Sequence, residues 1–200
     1  MNRQTEKREI LTNKSVEMRD ILISDFSNIA FQNAFKKYFK ELGVEIKNWD
    51  GLFNELTEEG KNKAYVRLDE NGTSVGFILF EIIQLSDGFF EENLGFIREF
   101  WIADEYRNKG YGSELIKLAE EFFKENGICK SILTTDTAEH FYEARGYHKD
   151  RSYTAKNQDE VFVKVLWFLL FTHILYHKNY QTNRLVYIVI WQYKYSKVYI

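Results

Sequence analysis

Proline is absent from all 200 residues, where average usage would supply about ten. The abundance of Lys, Asn, Ile, Tyr and Phe points to an AT-rich coding bias, so the absence carries no structural meaning of its own. Cysteine is reduced to Cys129, which excludes an internal disulfide framework and fits a reducing compartment. Charge of one sign is also scarce. The net charge is -3, with no short block of Lys and Arg, so no nucleic-acid partner is expected. The N-terminus, Met1-Asn2-Arg3-Gln4, runs into mixed charges with no apolar centre, so no secretory signal is expected. Nor is there an apolar run of the about 20 residues that a membrane span needs. The wholly apolar stretch Val165–Phe171 is interrupted at Thr172, His173 and His177. A cytoplasmic protein of ordinary globular composition is the default.

What is present divides near Leu166. No acidic residue follows Glu160, and residues 167–200 hold ten of the thirty-four aromatic side chains with Lys178, Arg184, Lys194 and Lys197. This shift predicts a domain over 1–166 and an aromatic, basic extension over 167–200, packed on the domain or on a second subunit of a homodimer. His173 and His177 share an i,i+4 spacing but lack a carboxylate between them, a poor metal set, so no metal site is expected.

Within 1–166 the hydrophobic period alternates between the two regular types. A strand is expected over 16–23, then a helix over 29–42 capped by Asp25 or Ser27, with Phe31, Ala34, Phe35, Tyr38 and Phe39 at helical spacing. A second helix fits 49–59 and closes at Gly60. Strands over 65–68 and 75–80 flank Asp69-Glu70-Asn71-Gly72, and Asn-Gly between β-rich runs signals a hairpin. A strand over 95–102, a helix over 113–126, a strand over 128–134, a short helix over 138–145 and strands over 147–155 and 160–166 complete the order. The result is a mixed α/β domain, with a mainly antiparallel sheet of about six or seven strands flanked by about four helices.

The chemistry concentrates in Arg107-Asn108-Lys109-Gly110-Tyr111-Gly112, between a strand and a helix. Backbone donors at a helix N-terminus make an anion site. Gly110 and Gly112 clear the approach of a pyrophosphate to the main chain, and Arg107 and Lys109 add positive charge. No Gly-Lys-Ser/Thr closes the loop, and Leu115 stands where a dinucleotide fingerprint needs its third glycine. Downstream, Ala138-Glu139-His140-Phe141-Tyr142-Glu143-Ala144-Arg145-Gly146-Tyr147 offers a further pattern.

The loop segment resembles motif A of the GNAT superfamily of N-acetyltransferases, Arg/Gln-x-x-Gly-x-Gly/Ala. The downstream segment is similar to that family's helix ending in Phe-Tyr-x-x-x-Gly-Phe/Tyr. The resemblance spans about 16–166 by element order and is motif-specific over 95–147. It implies acetyl-CoA as co-substrate, with its pyrophosphate held by the backbone amides from Asn108 to Ser113. It also implies that the main chain of Phe100, Trp101 and Ile102 pairs with the pantetheine arm like an added strand. Tyr142 then stands where many members keep a general acid. Glu99 stands where many keep a base, while the N–H of Phe100 or Trp101 polarises the carbonyl.

Strict alternation places Glu99 on one face with Ile97 and Trp101, opposite Arg98, Phe100 and Ile102. Acetylation of a primary amine, on a small molecule or a protein, is the activity implied. The alternative is a coenzyme A-binding regulatory module with a dimerising tail. The acceptor pocket is expected among residues 31–56, 89–93 and 148–159. Phe35, Tyr38, Trp49, Phe89 and Phe90 read either as its apolar wall or as core, and Asp87, Glu91 and Glu92 suit a cation. Cys129 reads as structural rather than as a nucleophile with His140. Asp136, with Thr134 and Thr135, is expected to shape the cleft and cap the following helix.

Overall fold

The computed structural model describes residues 18–86 and 89–166, with strand backbone at 175–178 and 185–188. Asp87, His173 and the side chain of His177 lie outside the described residues, as do the first two residues of the strand expected from Val16. The chain separates into two units, Met1–Leu166 and Trp167–Ile200.

In the first unit the order is β1 (Arg19–Ile23), α1 (Ile29–Glu41), α2 (Trp49–Glu58), β2 (Lys63–Leu68), β3 (Ser74–Ser86), β4 (Glu91–Ile102), α3 (Tyr111–Glu125), β5 (Lys130–Thr135), α4 (Glu139–Glu143), β6 (His148–Lys149) and β7 (Glu160–Val165). A 3-10 turn, Asp104–Tyr106, leads into the loop before α3. The element order is the one expected from the hydrophobic period. The seven strands form one sheet in the order β1-β2-β3-β4-β5-β7-β6, antiparallel throughout except for the β4–β5 pair. In the second unit β8 (Leu175–Lys178) pairs antiparallel with β9 (Leu185–Ile188).

The sheet has a core on each face. α1 and α2 bury Phe31, Ala34, Phe35, Phe53 and Leu56 against Val66, Phe77, Leu79 and Trp101. The helical spacing of Phe31, Ala34 and Phe35 puts all three on one side of α1. Phe31 stacks on Phe35 at 5.0 Å between centroids and meets Phe77 edge-on at 5.3 Å. Removing one such ring would cost about 3–5 kcal/mol. On the other face α3 buries Leu115, Ile116, Ala119 and Phe123 against Ile78, Phe80 and Ile97. Glu120 is carried into the same face and is met by Lys164 at 2.7 Å, so the buried charge is paired.

Four local expectations are corrected. The cap of α1 is Asn28, whose side chain accepts from Phe31 N at 3.1 Å. Asp25 instead accepts from Ser27 N at 2.9 Å in a turn of its own. The strand expected over 147–155 is only His148–Lys149, because the chain then turns at Asp150, which accepts from Ser152 N at 2.9 Å. Strands β3 and β4 run longer than expected and pair as far as Ser86 opposite Glu91.

The fourth correction matters most for the site. Leu79 lies opposite Glu99 and Phe80 opposite Ile97, so Arg98 is an inserted residue in a β-bulge. The bulge breaks the alternation, and Ile97 faces the α3 side while Trp101 faces the α1 side. Arg98 and Glu99 both turn towards the α1–α2 side, where Arg98 donates to Asn62 at 2.6 Å and Glu99 meets Tyr38 of α1.

Candidate active site

Strands β4 and β5 pair only at Gly95 opposite Ser131 and Phe96 opposite Ile132. Beyond the bulge they diverge, since bulges bend the strand that carries them. The gap widens into a cavity of about 1010 Å³ lined by Glu99–Ile102 of β4, Thr134 and Thr135 of β5, Tyr142 of α4 and the start of α3. Parallel strands splayed at their C-terminal ends, beside a helix N-terminus, are where α/β sheets bind ligands.

The main chain of β4 is open on this side. Ala103 N donates to Val75 O at 2.9 Å, so odd-numbered residues here turn their polar groups towards β3. By the same parity Phe100 and Ile102 present theirs to the gap and Trp101 does not. The Ile102 carbonyl accepts from Arg107 Nε at 2.8 Å, which leaves the Phe100 N–H and C=O and the Ile102 N–H open.

The loop before α3 is an anion cradle in its geometry. Gly110 is the N-cap of α3 with φ +90°, and nothing lies within 4 Å of the position a Cβ would take. Glycine is therefore required for the backbone conformation rather than for room. At Gly112 the reason is contact, since a Cβ there would sit 3.1 Å from Phe100 Cζ and 3.2 Å from Phe141 Cζ. The N–H groups of Asn108, Lys109, Gly110, Tyr111 and Gly112 have no acceptor among the described residues. The Ser113 N–H donates to Gly110 O at 2.9 Å, and its Oγ accepts from Arg145 Nη2 at 2.5 Å.

Arg107 and Lys109, expected to add positive charge here, have different surroundings. Arg107 donates to Glu41 at 2.8 Å and pairs with Asp104, so two carboxylates offset it while it braces the loop on β4. Lys109 lies over the Tyr106 ring at 5.4 Å. Like Lys109, Arg145 from just beyond α4 has no carboxylate partner among the described residues. Its guanidinium lies 3.4 Å from the Phe141 ring centroid and donates to the Phe141 carbonyl, both neutral partners. Arg145 Nε is buried without a partner, and no carboxylate pairs with the group among the described residues. Burial pulls its pKa below the ordinary guanidinium value. A half-buried cation beside a helix N-terminus suits an incoming phosphate.

Arg67 holds the first turn of α3 in place from β2. Its side chain is 5% exposed. It donates twice to Asp20 at 2.7 Å and once to Glu114, and its guanidinium lies 5.6 Å from the Tyr111 ring.

Glu99 and Tyr142 line the same cavity. Burial raises the Glu99 carboxyl above its usual range, with the Tyr38 hydrogen bond and Arg98 opposing. Tyr142 is buried, and its hydroxyl has no hydrogen-bond partner among the described residues. Burial first, then the Glu99 charge, raises its pKa well above that of an ordinary phenol, with Arg145 opposing. The arrangement combines a carboxylate with raised proton affinity, a phenol that stays protonated, and an open backbone donor.

Sequence reasoning gave Tyr38 an apolar role and Arg145 none. Both act through partners distant in sequence, although Arg145 stands inside the Ala138–Tyr147 motif. Cys129 is exposed, with its Sγ 3.9 Å from Gly127 O, while His140 pairs with Glu143 at 3.3 Å. Asp136 lines the cavity, but the following turn is capped by Thr135 Oγ1, which accepts from Ala138 N at 3.0 Å. Phe89 and Phe90 are exposed and do not line the cavity, whereas Tyr38, Glu41, Leu42, Asn157 and Asp159 do. Among the described residues, no helix is long and apolar enough to cross a membrane.

The sequence pattern of the Acetyltransferase (GNAT) family matches residues 17–147. Among solved structures, an acetyltransferase of the GNAT family from Staphylococcus aureus Mu50 is 17% identical. It covers 76% of this chain and 100% of its own, with a TM-score of 0.57. The PaiA N-acetyltransferase of Thermoplasma acidophilum, solved in complex with coenzyme A, is 19% identical, covering 76% of this chain and 99% of its own at a TM-score of 0.52. At these identities the likeness is one of fold. No curated protein sequence matches the chain.

Proposed function

The chain belongs to the GNAT family of acetyltransferases, for which acetyl-CoA is the fitting co-substrate, and from that premise we propose that it transfers the acetyl group to a primary amine by direct attack. The observation that carries this reading is the splayed β4–β5 gap, which brings Glu99, Tyr142 and the open N–H groups of the α3 N-terminus to one cavity. Coenzyme A in the Thermoplasma relative supports the same occupant here.

The residues fit the co-substrate in chemistry. Five unpaired amides, Asn108 to Gly112, and Arg145 suit its phosphates. The open edge of β4 at Phe100 and Ile102 suits an extended amide-bearing arm. Acetyl-CoA supplies the thioester carbonyl and a thiol leaving group. Glu99 takes one proton from the incoming ammonium and leaves a neutral amine. The Phe100 N–H, open to the gap, would donate to the carbonyl oxygen as it gains charge. As the new C–N bond forms and the C–S bond breaks, Tyr142 gives its phenol proton to the sulfur. It recovers a proton from the amide nitrogen, and Glu99 releases its own to water. The raised Tyr142 pKa keeps that proton available across the neutral range.

Thiol release from acetyl-CoA, measured over a panel of small amines and peptides, tests the proposal. Tyr142→Phe should lower turnover by about 10²-fold while coenzyme A affinity stays near that of the wild type. Saturable coenzyme A binding with no turnover on any amine would overturn the catalytic reading and favour a binding module. No binding by folded protein would overturn the site itself.

A further inference from the structure

Tyr38 belongs to neither family motif, yet it makes the closest contact with the candidate base. It sits on the last full turn of α1, on the same side as Phe35, and its hydroxyl reaches across to β4 to donate to Glu99 Oε2 at 2.6 Å. The contact depends on the bulge. With strict alternation from Ile97, Glu99 would lie on the α3 side and out of reach of α1, and the inserted Arg98 turns it over. The ring of Tyr38 is held by Phe35, Phe39 and Phe77, at centroid distances of 6.2, 5.3 and 5.7 Å. Its hydroxyl is therefore aimed by packing rather than by its own rotamer freedom. Glu99 Oε1 accepts no hydrogen bond among the described residues, and both side chains line the cavity.

We propose that Tyr38 is a positioning residue for the transfer: it anchors one oxygen of Glu99 across the α1–β4 junction, so that the other is presented to the amine. This rests on the reading that Glu99 is the base. A glutamate side chain has three torsions, and untied it can turn both oxygens to solvent. One oxygen tied at 2.6 Å leaves a single oxygen for the substrate proton. The bond also stabilises the charged form of Glu99 and opposes the effect of burial. The charged and titratable groups around Glu99 are Tyr38 and Glu41 from α1, Arg98 from β4, Tyr142 from α4, and Arg107 at the cavity mouth. Arg98 is already shared with Glu59 at 3.3 Å and Asn62 at 2.6 Å, and Arg107 with Glu41 and Asp104. Tyr38 is thus the group whose removal acts on Glu99 most directly.

The test is the pH dependence of kcat/KM for the amine, in the wild type, Tyr38→Phe and Glu99→Gln. Loss of a hydrogen bond to the charged form should displace the acid limb of Tyr38→Phe to higher pH by about one unit. The limb of the free amine is a property of the substrate and does not move. Affinity for acetyl-CoA should stay within about twofold, because the hydrogen-bond and ring contacts of Tyr38 among the described residues are with Glu99, Phe35, Phe39 and Phe77 and none is with the α3 cradle. Carbon-13 labelling of glutamate carboxyls, with Glu99 assigned by its loss in Glu99→Gln, reads the same displacement without turnover.

Superimposable titrations of Glu99 in wild type and Tyr38→Phe would overturn the proposal, whatever happens to the rate. If Glu99→Gln keeps the wild-type rate and acid limb, the role of Glu99 as base fails instead. A normal Glu99→Gln loss beside an unmoved Tyr38→Phe limb refutes only the role of Tyr38.

Discussion

Gly110→Ala separates the two reasons a glycine can stand at the start of α3. No atom lies within 4 Å of the added methyl group, so the substitution creates no clash. The backbone φ of +90° is the whole problem. Holding an L-residue in that half of conformational space costs about 1–2 kcal/mol. The stiffer unfolded chain returns about 0.4–1 kcal/mol. The net loss is about 1 kcal/mol, or a fall in Tm of about 2–4 °C for a domain of this size. If the residue relaxes towards negative φ, the N–H groups of Tyr111 and Gly112 swing off the cavity. Each hydrogen bond to a charged group is worth about 1.5–3 kcal/mol. The Kd for coenzyme A, read by calorimetry, should therefore rise about tenfold or more. Gly72→Ala is the matched control: φ is +78°, nothing lies within 4 Å, and the site is a hairpin turn away from the cavity. It should lose the same stability and none of the affinity. Equal coenzyme A affinity in both variants, with both melting early, would refute the cradle.

Two further outcomes follow from the charges. Arg145→Met should weaken coenzyme A binding about tenfold and flatten the salt dependence of the Kd, as calorimetry at two salt concentrations checks, and it should lower Tm because the hydrogen bonds to Phe141 and Ser113 and the ring contact are lost. Glu99→Gln should raise Tm at neutral pH, and thermal melts across pH check it. The sign follows from the raised pKa: below the unfolded carboxyl value both states hold the proton and Glu99 has no cost. As pH rises through the folded value the buried carboxylate becomes destabilising. The advantage of Glu99→Gln should thus be small near pH 4 and grow towards neutrality, and a constant difference would refute it.

Much of the fold was legible because its signals are local. The Asn71-Gly72 turn, the helical spacing of Phe31, Ala34 and Phe35, and the apolar face of α3 each depend on residues a few positions apart. The same holds for the loop from Arg107 to Gly112, where glycine spacing and a strand-to-helix junction are written within a dozen residues. Tyr142 stands in the Ala138–Tyr147 motif and Glu99 on the strand before the loop, and both line one cavity.

The side on which Glu99 lies was not legible, because a bulge is a property of two paired strands. The Arg98 insertion exists only relative to Leu79 and Phe80 on β3. The same limit hid the role of Tyr38, which reaches Glu99 across sixty-one positions of sequence. In the sequence Arg107 reads as added positive charge, yet it is offset by Glu41, sixty-six positions away, while Arg145, given no role there, has no carboxylate partner among the described residues. By itself the sequence determined most of the helices and strands and the glycine-spaced loop between β4 and α3, since backbone preference and hydrophobic period act over one or two turns. Which charges are paired, and which carboxylate oxygen is left free at the cavity, was decided only when the sheet brought distant side chains within 3 Å of one another.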